Sequence, residues 1–265
     1  MLLALLISLL AGLSTTIGGY LATHPRIVER GVLAVSLAFA AGAMVFVSFM
    51  QIIPLGVDSL EVSLGNNALF AVMGLFFVGM AVVAVIDRAL PHGFNPSHVE
   101  GREGELSAQD KRENRLLMRS GLMVAVVLGL HNFPEGMSTF IASYQDLSVG
   151  ITLAIAIAIH NIPEGVAVAA PVYAATRNRK KAVGWATVSG LAEPAGALVA
   201  AFLVAYFVPQ ELFGLLFGLV AGMMVYLSFD ELLPAARRYA TSAHHVVYGV
   251  AGGMAVVALS IVLVG

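Results

Sequence analysis

The stretch GITLAIAIAIHNIPEGVAVAAPVYAA, residues 150–175, is apolar over most of its length but carries His160, Asn161 and Glu164 near its middle. It is long enough to cross the hydrocarbon core of a bilayer, which takes about 20 predominantly apolar residues. An ionisable side chain at that depth is costly and usually marks a functional site. The stretch therefore predicts a transmembrane helix with a polar site at mid-membrane.

The composition of the whole chain also points to lipid as the solvent. Of its 265 residues, 59% are hydrophobic and only 11% are charged, whereas soluble domains carry about 25% charged residues. The net charge of −2 gives no basic surface for nucleic acid. Cysteine is absent, which excludes disulfides, cysteine-based zinc sites and iron–sulfur clusters.

Eight apolar segments have the length of a membrane span, and none shows the polar–apolar alternation of a barrel strand. We therefore expect an all-α integral membrane protein with eight transmembrane helices, called spans 1 to 8. The first shows no basic start or cleavage site of a signal peptide, so we interpret it as a retained helix. The spans cover approximately residues 1–22, 32–55, 68–90, 117–143, 148–173, 183–206, 210–233 and 245–264.

The basic residues predict the orientation of the spans. All 14 lie in or beside the loops that follow spans 1, 3, 5 and 7. Cytoplasmic loops carry an excess of Lys and Arg, so these loops are expected inside and both termini outside the cell membrane. The basic residues are Arg26, Arg30, Arg88, Arg102, Lys111, Arg112, Arg115, Arg119, Arg177, Arg179, Lys180, Lys181, Arg237 and Arg238.

The one long loop, at about 91–115, is therefore expected in the cytoplasm. It is polar and contains His92 and His98. Two histidines are too few for a histidine-rich metal-binding tract. A solvated linker and a weak metal-gathering segment both remain open as interpretations of this loop.

An internal repeat relates span 2 to span 7. Residues 41–54 read AGAMVFVSFMQIIP and residues 221–234 read AGMMVYLSFDELLP, with seven of 14 positions identical. The two spans run in opposite directions in the predicted topology. Inverted repeats are common in secondary transporters with midplane binding sites. We expect a single transmembrane transporter domain over 1–265, with spans 1–3 and 6–8 as related halves around spans 4 and 5.

A second repeat supplies the chemistry of the site. HNFPEG at 131–136 in span 4 recurs as HNIPEG at 160–165 in span 5, and Glu193 lies near the middle of span 6. No Lys or Arg lies in the interior of any span. A buried carboxylate costs about 2.5–3.5 kcal/mol at the helix centre, so either a proton or a bound cation neutralises these groups. The neighbouring His and Asn side chains favour a metal cation.

Helical spacing brings the donors of each motif together, because residues at i, i+3 and i+4 share a face. Imidazole, amide and carboxylate ligands suit Zn²⁺, Fe²⁺, Mn²⁺ and Co²⁺, and two carboxylates can bridge two ions. Gly136 and Gly165 are expected to let spans 4 and 5 approach closely. The candidate metal ligands are His131, Asn132, Glu135, His160, Asn161, Glu164 and Glu193.

Three further residues are expected to line the transport path. Gln51 and Glu231 are equivalent in the span 2 and span 7 repeat, three residues before Pro54 and Pro234. With span 2 ending outside and span 7 ending inside, Gln51 is expected at the outer mouth. Asp230 and Glu231 are expected at the inner mouth.

The paired motifs resemble those of the ZIP (Zrt/Irt-like) metal transporters, and especially its bacterial branch. The resemblance runs almost end to end, through STTIGGYLA, FAAGAM, IDRALPH, PVYAAT, SGLAEP and DELLP. It implies ATP-independent uptake of Zn²⁺ and other divalent metals, Cd²⁺ among them, by a membrane-embedded homodimer. It also implies that spans 1, 4, 5 and 6 slide against spans 2, 3, 7 and 8.

The resemblance also assigns residues to the ions. It gives His131, Glu135, His160 and Glu164 to one ion, and it gives Asn132, Glu135, Asn161, Glu164 and Glu193 to a second. Met44, in FAAGAM, matches a position where the family offers a thioether. Gln51 departs from the family pattern, which has a glutamate there.

Three other classes of function compete with a carrier. Di-metal enzymes also place Glu and His at short helical spacing in a bundle, but the HExxH protease motif is absent, and an inverted repeat is typical of carriers. No GxxxxGK[ST] motif is present for an ATP-driven pump. A metal-gated channel is a further alternative. Flux that saturates and stays far below channel rates would distinguish a carrier from it. We expect no enzymatic activity and no prosthetic group, with the metal ions as substrate.

Overall fold

The computed structural model describes residues 1–24, 26–27, 29–89, 125, 128–129, 132–206 and 213–264. In these ranges the backbone is helical apart from short turns, and it contains no strand. The loop at 91–115, with His92 and His98, lies outside the described residues, as does His131.

The helices are numbered here along the chain. A π-helical segment covers Ser48–Ile52, a second covers Ser228–Leu232, and a 3₁₀ turn covers Gly65–Asn67. Single-residue breaks separate α5 from α6 and α7 from α8. The helices are α1 (Leu2–Leu21), α2 (Arg30–Val47), α3 (Ile53–Leu64), α4 (Ala68–Ala89), α5 (132–145), α6 (Leu147–Thr176), α7 (Arg179–Gly190), α8 (Ala192–Tyr206), α9 (Phe213–Leu227), α10 (Leu233–Tyr239) and α11 (Ala243–Val264).

Six stretches of described helix are long and apolar enough to cross a membrane, which agrees with the predicted all-α membrane fold. The second of them runs for 56 residues, far more than the ~20 of one span. It is interrupted at Gly65, whose φ of 52° favours glycine. The six stretches are Leu2–Leu21, Arg30–Val85, Leu147–Thr176, Arg179–Tyr206, Phe213–Tyr239 and Ala243–Leu263.

The predicted ends of spans 2 and 7 were wrong. Helical backbone continues past Pro54 to Leu64 and past Pro234 to Tyr239. Proline lacks an N–H and normally disrupts a helix interior. Here a π-helical segment precedes each proline, and the residue before it donates five residues back, from Ile53 N–H to Ser48 O and from Leu233 N–H to Ser228 O. The wider turn accommodates the proline without ending the helix.

The helices pack in two groups. In one, α1 packs most extensively against α6 and also contacts α7 and α8. In the other, α2 packs against α11 and α4 packs against α9, with α3 and α10 beside them. The groups meet where α6 contacts α2 and α11. This division matches the two sets of spans that the family resemblance implies.

Close glycine contacts occur in corresponding pairs in the second group. Gly42 and Gly222 are aligned in the span 2 and span 7 repeat, and each packs directly against a carbonyl oxygen of a neighbouring helix. Small residues of this kind let membrane helices approach closely. The pairs are Gly42 with Val250 O and Gly222 with Phe76 O, then Gly253 with Phe39 O and Gly79 with Leu219 O.

Candidate metal centre

The repeated motif lies on α5 and α6. The latter continues unbroken through Pro163, so its polar residues stay in helical register. Six of the seven predicted metal ligands lie in the described residues, and each is fully buried at 0% exposure. They are Asn132, Glu135, His160, Asn161, Glu164 and Glu193.

His160 and Glu135 join the two copies of the motif. His160 Nε2 lies 3.1 Å from Glu135 Oε1, across the interface of α6 and α5. A buried ionisable group is tolerated only with polar partners. The contact therefore brings an imidazole and a carboxylate from different helices into one polar centre.

The two asparagines are each held by a backbone carbonyl of a neighbouring helix. Asn161 Nδ2 donates to Ala11 O at 3.1 Å and to Glu193 Oε2 at 2.8 Å. Asn132 Nδ2 donates to Ser189 O at 3.1 Å. Because a carbonyl only accepts, these bonds direct each NH₂ group towards α1 or α7. The amide oxygens of Asn132 and Asn161 then remain available as ligands, and neither has a hydrogen-bond partner.

Glu193 enters the centre at a break between helices. α7 ends at Gly190 and α8 begins at Ala192, so Glu193 lies in the first turn of α8. A carboxylate is favoured near the positive end of a helix dipole. Glu193 interacts electrostatically with both Glu135 and Glu164, and its Oε1 has no hydrogen-bond partner. Three carboxylates thus lie in one buried region.

Among the described residues, no three His, Asp or Glu side chains already stand in a metal-binding arrangement. Instead, Glu135 contacts His160 and Glu193 accepts from Asn161. Amide oxygens also ligate hard divalent ions, and those of Asn132 and Asn161 are buried without a hydrogen-bond partner. The donor types fit a divalent cation of the Zn²⁺ to Mn²⁺ range.

The expected helix contacts of Gly136 and Gly165 were wrong. Gly136 packs against the backbone of Glu193, and Gly165 packs against Thr15 O. Each motif glycine therefore joins its helix to α8 or α1 rather than to the other motif helix. The packing of the helices decides which neighbour each glycine contacts, and the position of a glycine in the sequence does not indicate that neighbour.

The predicted path residues lie on the π-helical segments and beside them. Met44 is fully buried in α2, and Gln51 is 8% exposed. Asp230 and Glu231 are half-buried in the segment Ser228–Leu232.

Gln51 lines a cavity of about 220 Å³ together with Asp58, Ser148 and Thr152. The sequence reasoning did not identify Asp58. Its place seven residues after Gln51, two helical turns along the same face, was the available signal.

Comparison with known proteins identifies the family. A family model described as ZIP zinc transporter matches residues 91–261. A protein named zinc transporter ZupT from Corynebacterium glutamicum is 48% identical, over 99% of each chain. Proteins of the same name from Lysinibacillus sphaericus and Streptococcus mutans are 45% and 43% identical, over 99% and 98% of this chain and 97% of their own.

These relatives are named as transporters and not as enzymes, which confirms the prediction from the sequence that the protein is not an enzyme. The match of the family model covers more than half of the chain, and the relatives align along almost all of it. The chain belongs to the ZIP family of zinc transporters.

Proposed function

We propose that this protein is a secondary, ATP-independent transporter that takes up Zn²⁺ across the cell membrane through a buried His/Asn/Glu site. Its relatives are named zinc transporters. Fe²⁺, Mn²⁺, Co²⁺ and Cd²⁺ are further substrates, because imidazole, amide and carboxylate ligands accept them too. The metal is the substrate and not a resident cofactor.

One observation carries this proposal. Asn132 Oδ1, Asn161 Oδ1 and Glu193 Oε1 are buried oxygens without a hydrogen-bond partner in a region that also holds Glu135 and Glu164. Leaving such a group without a partner costs about 1–3 kcal/mol each. All Lys and Arg side chains in the described part of the chain are exposed. A divalent cation would satisfy the oxygens and balance the carboxylates at once.

The site is proposed to hold two ions. His131, Glu135, His160 and Glu164 bind the first, and the imidazoles favour Zn²⁺ there. Asn132, Asn161 and Glu193 bind the second with the bridging carboxylates of Glu135 and Glu164, in an all-oxygen environment that suits harder ions.

We further propose eight membrane spans, with spans 1–3 and 6–8 as inverted repeats around α5 and α6. The two π-helical segments and the paired glycine contacts support the repeat. Both termini face outwards and the loop at 91–115 is cytoplasmic, as the basic residues indicate.

Alternating access is proposed to come from motion of one packing group against the other. The group of α1, α5, α6, α7 and α8 carries the site. The group of α2, α3, α4, α9, α10 and α11 stays as a scaffold, and it forms a homodimer in the lipid bilayer. Met44 of the scaffold contributes a thioether next to the path.

Uptake of radioactive zinc into proteoliposomes tests this function. The wild-type protein should give saturable uptake without ATP, far below channel rates. Glu164→Ala should abolish uptake, because it removes a shared carboxylate. Glu61→Ala is the matched control, since Glu61 is exposed on α3. Zinc uptake by a well-folded Glu164→Ala variant equal to that of the wild type would overturn the proposed site.

A further inference from the structure

Thr15, on α1, is a buried polar residue that the proposed metal site does not yet use. It is 0% exposed, and its hydroxyl has no hydrogen-bond partner. A threonine inside a helix commonly donates to the carbonyl four residues back. Thr139, Thr152, Thr176 and Thr187 all do so. Among the described threonines, Thr15 alone leaves its hydroxyl without a bond.

The reason lies at the preceding turn. The usual acceptor of Thr15 would be Ala11 O, but this oxygen accepts from Asn161 Nδ2 at 3.1 Å and from Ser14 Oγ at 2.6 Å. A carbonyl has two lone pairs, so its capacity is taken up. A residue of the metal site thus occupies the acceptor that the Thr15 hydroxyl would otherwise use.

Thr15 and Glu193 occupy corresponding places around the two motifs. Asn161 donates to the carbonyl four residues before Thr15, and Asn132 donates to the carbonyl four residues before Glu193. The same correspondence holds for their backbone oxygens. Thr15 O packs against Gly165 of one motif, and Glu193 O packs against Gly136 of the other.

The next turn repeats the correspondence. Gly18, three residues after Thr15, packs against Ile162 O, while Gly196, three residues after Glu193, packs against Phe133 O. Ile162 and Phe133 are the variable residues of HNIPEG and HNFPEG. Three pairs of corresponding contacts therefore relate Thr15 to Glu193.

The side chains follow the same relation. A Cβ placed on Gly12 would lie 3.1 Å from Glu193 Cβ, and one placed on Gly190 would lie 3.0 Å from Thr15 Oγ1. Glu193 reaches across to Asn161. The same relation predicts that Thr15 faces Asn132, whose Oδ1 also has no hydrogen-bond partner. The hydroxyl lies beside Gly190, the residue after the carbonyl that holds Asn132.

We propose that the Thr15 hydroxyl is a further oxygen ligand of the transported divalent ion, facing Asn132 as Glu193 faces Asn161; this rests on the proposed metal site. A neutral hydroxyl in place of a second carboxylate limits the negative charge of the site. It also adds a hard oxygen, which benefits Mn²⁺ more than Zn²⁺. Thr15 thereby contributes to metal selectivity.

Metal titration of the purified full-length protein with Zn²⁺ and with Mn²⁺ tests this role. Thr15→Val keeps the shape and removes the hydroxyl, and it should weaken Mn²⁺ binding about tenfold, with a smaller loss for Zn²⁺. Thr15→Ser should bind both metals as the wild type does. Thr15→Ala is a second hydroxyl-free variant and should follow Thr15→Val. Thr16→Val is the control, because the neighbouring Thr16 hydroxyl bonds to Thr187 instead.

A hydroxyl that is merely structural predicts the opposite result. Removing a buried unpaired hydroxyl would then leave both metal affinities unchanged and raise the unfolding temperature. That result for Thr15→Val, with Glu164→Ala losing metal binding in the same assay, would overturn the role of Thr15 while keeping the metal site. Wild-type binding retained in Glu164→Ala would instead overturn the proposed function.

Discussion

Glu135 Oε1 and His160 Nε2 lie 3.1 Å apart, and both side chains are fully buried. The two residues come from different copies of the repeated motif, so this contact connects α5 to α6 at the polar centre. In the proposed site, a ligand on either helix would therefore bind an ion that the other helix also binds. The contact makes the two motifs one unit.

Glu135→Ala should abolish zinc uptake while the protein still folds. The carboxylate is proposed to bridge both ions, and its loss also removes a hydrogen-bond partner of His160. Uptake into proteoliposomes and size-exclusion profiles in detergent provide the two measurements. Glu61→Ala is again the control, because Glu61 is exposed on α3. Substantial uptake by a folded Glu135→Ala protein would argue against a shared carboxylate.

His160→Ala should reduce zinc uptake more than manganese uptake. Imidazole is a favoured ligand for Zn²⁺, whereas Mn²⁺ prefers oxygen, and Asn132, Asn161 and Glu193 would still be present. Initial uptake rates of the two metals, measured in the same vesicles, give the comparison. His244→Ala, at an exposed position in the first turn of α11, should change neither rate. Equal losses for both metals would contradict the proposed division of the site.

Gly136→Ala and Gly196→Ala should destabilise the protein. Gly136 on α5 packs directly against the carbonyl of Glu193 on α8, and Gly196 on α8 packs against the carbonyl of Phe133 on α5. A Cβ on either glycine would therefore push α5 and α8 apart. Overpacking of this kind typically costs about 1–3 kcal/mol. Thermal unfolding in detergent, followed by fluorescence or light scattering, measures the effect.

Gly74→Ala and Gly184→Ala are the matched controls, because an added Cβ meets nothing within 4 Å at either position. Alanine is favoured over glycine in a helix interior by about 0.5–1 kcal/mol, so these two variants should unfold no earlier than the wild type. If all four alanine variants unfolded alike, the glycine contacts would not be the cause.

Much of the site could be predicted from sequence because charge inside an apolar span is conspicuous. Glu135, Glu164 and Glu193 stand out in their segments, and the recurrence of His, Asn and Glu at one spacing indicates a shared face. The membrane fold followed from composition and segment length for the same reason.

The sequence did not indicate the contacts that side chains make with backbone atoms, because every residue has the same backbone groups. Asn132 and Asn161 are held by the backbone carbonyls of Ser189 and Ala11, and any residue offers such a carbonyl. Thr15 could not be identified from the sequence, because threonine is common in membrane helices. The continuation of the helix past Pro54 could not be predicted, because no residue type identifies the π-helical segment that precedes it.

Gln51→Glu should lower the zinc concentration for half-maximal uptake and change the maximal rate little. Gln51 lines the cavity that also holds Asp58, so the substitution adds a second carboxylate where one already lies. Negative charge in a cleft raises the local concentration of cations. Uptake curves at low external zinc measure the change, and Gln145→Glu, exposed at the end of α5, is the control. An unchanged half-saturation would remove Gln51 from the entry path.

Asp230→Asn combined with Glu231→Gln should lower the maximal uptake rate with little change in half-saturation. Both carboxylates are half-buried on the π-helical segment of span 7, at the place that Met50 and Gln51 occupy on span 2. Carboxylates at an exit attract a cation leaving the midplane site, so their loss should slow release and not capture.

An alternative role for these two carboxylates is to pair with the nearby Arg237 and Arg238. Ion pairs with these exposed arginines would contribute only about 0–1 kcal/mol, so their loss would shift the unfolding temperature slightly and leave transport unchanged. Asp230→Asn with Glu231→Gln should therefore be compared with Arg237→Gln and Arg238→Gln together, in both uptake and thermal unfolding. Slower maximal uptake in the acidic variant alone supports the exit path, whereas normal uptake in it assigns Asp230 and Glu231 to structure.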